Sequence, residues 1–166
     1  MSVKIITETK HIDNRGSLYT TFTDYDHDIQ FVQDKISQSR YGTIRGFHGD
    51  NKTYKLVTCI YGIMQFVTFD IETEKTTCYL LDANNKEVDS ILVEPGQLNA
   101  HQCLSDQCIM SYKWSEYYTS PEDQWTVKYD DPTIDAEWCD TNYVVLSHRD
   151  STARDFLSQK EEGVFS

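Results

Sequence analysis

No run of this 166-residue chain approaches the ~18 consecutive apolar residues that a membrane-spanning helix requires. The first ten residues, MSVKIITETK, also lack the apolar stretch of a secretory signal, so a soluble, cytoplasmic protein is expected. The five cysteines, at 59, 78, 103, 108 and 139, form no C-x-x-C pair, and their odd number leaves at least one unpaired. They are expected as buried thiols rather than metal ligands or staples. A glycine-rich phosphate loop is missing, which removes the kinase and dinucleotide-fold readings. Repeats, low-complexity tracts and linkers are missing too, and the length suits one domain spanning residues 1–166. Basic residues are scarce: fifteen Lys and Arg stand against twenty-seven Asp and Glu, a formal net charge of −12. That balance argues against nucleic acid or an anionic membrane as partner, since both are bound through basic surfaces.

The cations that are present are unevenly placed. Residues 1–55 hold eight Lys or Arg against seven Asp or Glu, and residues 56–166 hold seven against twenty. The stretch RGFHGDNKTYKLV, from Arg45 to Val57, concentrates an Arg, a His and two Lys within eleven residues at the head of an apolar run. Such a cluster serves either an anionic ligand or a solvated loop.

The remainder reads as short strands. Tyr54 to Glu72, YKLVTCIYGIMQFVTFDIE, is rich in β-branched and aromatic residues, with Gly62 placed to fold two strands into a hairpin. SLYTTF, IQFVQDKIS, EVDSILVEP, QCIMSYKW, QWTVKYD and YVVLS are further strand candidates, separated by DNRG, RYG, DANNK, EPG, SPED and DDP turns. This spacing predicts an all-β sandwich or barrel. Only the tail STARDFLSQKEE reads as helical, with Ser151 as its N-cap.

Individual candidates each have an ordinary reading beside a chemical one. His48 in its polar loop is a common surface histidine or a reachable base. Lys55 begins the apolar run, and period-2 alternation aims its ammonium into a barrel interior, where it needs an anionic partner. Tyr112 is one of eleven tyrosines and fits an amphipathic core position as well as an acid's. Asp150 suits a helix cap or turn. The histidines, at 11, 27, 48, 101 and 148, include no His-x-His, so a catalytic metal is not expected.

Taken in order, the segments DNRG (13–16), FVQD (31–34), SRYGTIRGFH (39–48), KLV (55–57), YKWSEYY (112–118), DP at 131 and LSHRD (146–150) resemble the dTDP-4-dehydrorhamnose 3,5-epimerase family and its relatives that act on other nucleotide-linked 4-keto sugars. The resemblance implies an all-β cupin, a double-stranded β-helix or jelly-roll barrel, with short helices near the C-terminus. It further implies a homodimer without metal or organic cofactor, acting on a nucleotide-diphosphate 4-keto sugar. By position it makes His48 the general base, Asp150 its carboxylate partner and Tyr112 the acid on the opposite face. Lys55 falls beside the C4 oxygen, His101 and Tyr118 line the pocket, and Arg15, Gln33, Lys35 and Arg45 meet the diphosphate or sugar. The chain departs from the family's pattern at Ser17 to Thr20, at Lys35 where an Asn is usual, and in the loop EPGQLNAHQC before and after His101, so a rebuilt pocket for another sugar or nucleotide is expected. A non-catalytic sugar-nucleotide-binding cupin and a 3,4-ketoisomerase are the alternative readings.

Overall fold

The computed structural model describes residues 4–23 and 28–166. Its strands are β1 (Lys4–Thr9), β2 (His11–Asp13), β3 (Gly16–Leu18), β4 (Gln33–Arg40), β5 (Ile44–Gly49), β6 (Lys55–Tyr61), β7 (Ile63–Asp70), β8 (Lys75–Asp82), β9 (Glu87–Val93), β10 (Gln97–Cys103), β11 (Gln107–Trp114) and β12 (Trp125–Thr126). Two short helices follow, α1 (His148–Ser151) and α2 (Phe156–Glu161). One antiparallel sheet has the order β1-β9-β6-β11-β4 and the other β12-β5-β10-β7-β8, while β2 and β3 form a separate hairpin. Together they make the jelly-roll barrel with C-terminal helices that the resemblance implies.

Alternation along the strands sorts the side chains into two apolar clusters. Inward-facing Val57, Met64, Phe66, Ile91, Cys108 and Met110 fill the closed part of the barrel between the sheets. Phe47, Val67, Phe69, Leu98 and Ala100 lie on the other face of the β5-β10-β7 sheet, packed under Val127, Ile134 and Phe156 of the C-terminal segment. Strand β7 is therefore covered on both faces, which is why IMQFVTFD reads as a near-continuous apolar run rather than an alternating one. Asp131 of the DDP turn holds the covering segment in place. It is 2% exposed, and its carboxylate accepts the amides of Thr133, Ile134 and Phe156.

Several local expectations are corrected. Gly62, at φ 75°, does not close a hairpin: β6 and β7 belong to different sheets, and the glycine turns the chain from one to the other. An added Cβ would lie 2.2 Å from the Gln107 carbonyl oxygen, so no other residue fits this corner. SLYTTF and QWTVKYD are strands for only a few residues, and YVVLS pairs only through Val145, bridged in parallel to Thr43. The tail helix is two helices, capped by Ser147 and Asp155 rather than Ser151, with Ser147 Oγ accepting the Asp150 amide and Asp155 that of Ser158. Strands β1, β2, β5, β8 and β10 lie outside the strand candidates, and His48 stands in β5 rather than in the expected polar loop; EPGQLNAHQC and RGFHGD carry the turn residues that masked β10 and β5. Cys59, Cys103 and Cys108 are buried as expected, whereas Cys78 and Cys139 are exposed.

Candidate active site

The open part of the barrel holds a cavity of about 300 Å³. Of the ten residues singled out from the sequence, eight line it: Lys35, Arg45, His48, Lys55, His101, Tyr112, Tyr118 and Asp150. Strict alternation along β5 would put Arg45 and His48 on opposite faces of the sheet, since they are three residues apart. The register with β10 shows how both face inward: Asn99 pairs with His48 and His101 with Arg45, so three steps on β5 match two on β10. The extra residue is a bulge at Gly46, whose φ of +118° is open to glycine. An added Cβ there would meet the Asn99 carbonyl oxygen at 2.5 Å and Ala100 Cβ at 2.6 Å.

His48 Nε2 lies 2.7 Å from Asp150 Oδ1. The imidazole keeps 22% of its side-chain surface open, while Asp150 keeps 3%, so a ligand can reach the base but not its partner. Burial pushes the His48 pKa below the ordinary histidine value. The Asp150 hydrogen bond and charge pull it up, and Arg149 and Lys55 press it down again, for a net lowering. Burial works to raise the Asp150 carboxyl, but the His48 hydrogen bond and charge, Ser147 and the Gly46 amide outweigh it and hold the carboxyl below its usual value. The pair is thus a neutral imidazole held by a carboxylate, the form in which a histidine accepts a proton.

Lys55, 2% exposed, donates to Asn99 Oδ1 at 3.1 Å and lies 4.7 Å from the Trp114 ring centroid. Burial lowers its pKa to about 8, against the opposing pull of Asp50 and with the help of Lys35 and Arg149. Tyr112 faces the same cavity from β11, its phenol raised by burial and Tyr118 against the opposing charge of Arg45. His101 Nε2 sits 3.3 Å from Ser39 Oγ, which in turn accepts from Arg45 Nε at 3.1 Å. Burial first, then the charges of Arg45 and His48, drive the His101 pKa down to about 3. This histidine is therefore neutral and acts as a hydrogen-bonding wall.

The two remaining residues lie elsewhere. Gln33 is outside the cavity, where its Oε1 accepts the Tyr118 amide at 3.2 Å and so positions that ring. Arg15 corrects the expectation as far as this chain's own cavity is concerned. It sits on the β2–β3 hairpin with 86% of its side chain exposed, paired to Asp13 at 2.5 Å. Eight other lining residues escaped the sequence reading, Arg149, Trp114 and Asn99 among them. Arg149 precedes Asp150 in LSHRD and is anchored by Nε to Thr126 Oγ1 at 2.8 Å and by Nη2 to the Gln124 carbonyl at 3.2 Å. Trp114 and Asn99 stand two residues from Tyr112 and His101, in phase with them, and that period-2 spacing was the available signal. Among the described residues no three His, Cys, Asp or Glu side chains converge as a metal ligand set.

Comparison with known proteins agrees with this fold. The family model for dTDP-4-dehydrorhamnose 3,5-epimerase matches residues 1–158. The Escherichia coli (strain K12) dTDP-4-dehydrorhamnose 3,5-epimerase is 31% identical over 152 residues, 83% of this chain and 80% of that protein. The Methanothermobacter thermautotrophicus enzyme of the same name is 32% identical over 147 residues, 81% and 77% of the two chains. Among solved structures, the Legionella pneumophila dTDP-6-deoxy-D-glucose-3,5-epimerase in complex with dTDP-4-keto-L-rhamnose superposes with a TM-score of 0.84 at 28% identity, covering 92% of this chain and 87% of that one. The Mycobacterium tuberculosis epimerase gives 0.90 at 28%, covering 98% and 88%. With a match across nearly its whole length, a barrel of the same shape and a histidine–aspartate pair facing a tyrosine-lined cavity, this chain belongs to the dTDP-4-dehydrorhamnose 3,5-epimerase family.

Proposed function

We propose that the protein inverts C3, C5 or both of a nucleotide-diphosphate-linked 4-keto-6-deoxy sugar, in the biosynthesis of surface-polysaccharide sugars. The observation that carries this reading is the neutral His48 held by Asp150 at 2.7 Å inside a cavity that also presents Tyr112 and Lys55. A 4-keto group acidifies the neighbouring C–H bonds, because the electron pair left by proton removal delocalises onto the carbonyl oxygen. His48 takes the proton, and Asp150 stabilises the resulting imidazolium. Lys55 faces the developing oxyanion in surroundings that exclude water and so strengthen the interaction. Tyr112 returns a proton from the opposite face, and the configuration inverts.

Arg45 and Arg149 are suited to the diphosphate, since each is a guanidinium on the cavity wall without a carboxylate partner among the described residues. A homodimer is part of this reading. Ile12 and Leu18, on opposite faces of the β2–β3 hairpin, are 65% and 75% exposed, apolar side chains that a second copy wrapped by the hairpin would cover.

The decisive experiment incubates the protein with nucleotide-linked 4-keto-6-deoxy sugars in D₂O and reads mass and configuration. Deuterium at C3, C5 or both in inverted product is expected. A keto group moved from C4 to C3 would replace this reading with the ketoisomerase, and binding without exchange would replace it with the non-catalytic module.

A further inference from the structure

The wall of the cavity formed by β4, β6 and β11 carries donors that no carboxylate among the described residues satisfies. Lys35 Nζ lies 3.8 Å from the Trp114 ring centroid, 3.6 Å from that of Tyr118 and 6.0 Å from that of Tyr112. Among the described residues it has neither a carboxylate within salt-bridge distance nor a hydrogen-bond acceptor. Other lysines of the chain are differently occupied: Lys113 pairs with Asp34 at 2.7 Å and Lys160 with Glu74 at 2.5 Å. Lys55, over the same indole, has only the neutral Asn99 amide oxygen. The indole Nε1 of Trp114, 5% exposed, is the one buried side-chain nitrogen or oxygen among the described residues without a partner.

We propose that Lys35 is a further catalytic group, a second positive charge on the enolate oxygen, so that the oxyanion forms between the Lys35 and Lys55 amines beside Trp114. This rests on the epimerase reading above. An aromatic cage holds a cation through the ring quadrupoles and leaves its net charge and its N–H groups intact, whereas a salt bridge cancels the field it would project. The caging of Lys35 therefore keeps a full charge available at the cavity. Both amines line the same cavity against one indole, at 3.8 and 4.7 Å from its ring centroid, so both charges act on a group that enters it. A group entering this corner must be an acceptor, and it gains most from the site when it becomes negative. The carbonyl oxygen does so when the C–H proton passes to His48 and the bonding pair moves onto oxygen. No proton leaves either lysine in this step, and the charge returns from oxygen to carbon when Tyr112 reprotonates the ring. Burial lowers the Lys35 pKa to about 8, so the amine is still mostly charged at pH 7, and an anion beside it would favour the charged form further.

The test compares wild type with Lys35→Met, whose unbranched thioether fills the slot between the rings, with Lys35→Gln as a polar replacement and with Lys35→Arg, which restores the charge. Two quantities are read: deuterium exchange at saturating sugar nucleotide, and affinity for the nucleoside diphosphate without sugar. Both neutral variants are expected to slow exchange on the order of a hundredfold, to bind the nucleoside diphosphate within about twofold of wild type, and to be largely rescued by Lys35→Arg. Unchanged exchange at saturation overturns the proposal, as does a loss that appears only in nucleoside diphosphate affinity, which would make Lys35 a phosphate ligand. Exchange by wild type separates this failure from failure of the epimerase reading. If wild type exchanges with no sugar tested, both fall together.

Discussion

His48 and Tyr112 face one cavity from different sheets, and their substitutions separate the two proton transfers. His48→Asn removes the base, so deuterium exchange and product are both expected to fall by about 10²–10⁴-fold or more. Tyr112→Phe removes only the far-face donor. The enolate still forms and is reprotonated by His48, giving deuterium in sugar of unchanged configuration, which mass spectrometry combined with NMR distinguishes from inverted product. The electrostatics of the same site give a pH profile. Activity rises as His48 loses its proton, below the usual histidine range, and falls as Lys55 loses its own at about 8. Stability runs the other way for Lys55. Its folded pKa is below the unfolded value, so the cost of burying the charge is fully present below about pH 8 and is relieved as pH rises toward the unfolded pKa. Lys55→Met is therefore expected to be more stable at pH 7 by roughly 1–3 kcal/mol while losing activity. A melting curve showing no gain would mean that burial of the amine carries no such cost.

At the scale of elements, the bulge in β5 matters most, because it turns three residues of sequence into one shared face. Gly46→Ala would place a methyl against the β10 backbone and force a left-handed conformation on a residue with a side chain. The expected loss is about 2–4 kcal/mol, read as a lower denaturation midpoint. The surviving folded fraction should be impaired in activity, since the strand must shift and carry His48 away from Asp150. A variant with the wild-type midpoint would show that β5 relaxes without help from glycine. The strand was legible only in part from RGFHGD. The residues marked a site, but their spacing under simple alternation divided Arg45 from His48, and the bulge that reunites them depends on the pairing with β10.

Across the whole molecule, a chain of net charge −12 gathers Lys35, Arg45, Lys55 and Arg149 around one cavity. Acidic surface elsewhere discourages nonspecific polyanions, and the cationic interior selects an anion small enough to enter. Binding of a nucleoside diphosphate should weaken with rising salt. Arg45→Ala removes a charge-assisted hydrogen bond of roughly 1.5–3 kcal/mol, so affinity should drop by about one to two orders of magnitude in titration calorimetry. Unchanged affinity would remove Arg45 from the diphosphate site.

The sequence by itself determined the class of the fold and the family. Short β-branched and aromatic runs between turn residues are local properties, and the ordered motifs around Arg45, Lys55, Tyr112 and Asp150 carry their spacing with them. What only the tertiary structure decided is how separate strands meet. The Gly62 corner looks like a hairpin until the sheets to which β6 and β7 belong are known. Arg15 looks like a residue of this chain's own cavity until its hairpin is seen to stand apart from it. Arg149 and Trp114 look ordinary because neither residue type marks a site on its own, and only the folded barrel brings Trp114 against Lys35 and Lys55 and sets Arg149 on the wall of the same cavity. Distances between residues remote in sequence arise from strand pairing and core packing, and those are properties of the folded chain rather than of any one stretch of it.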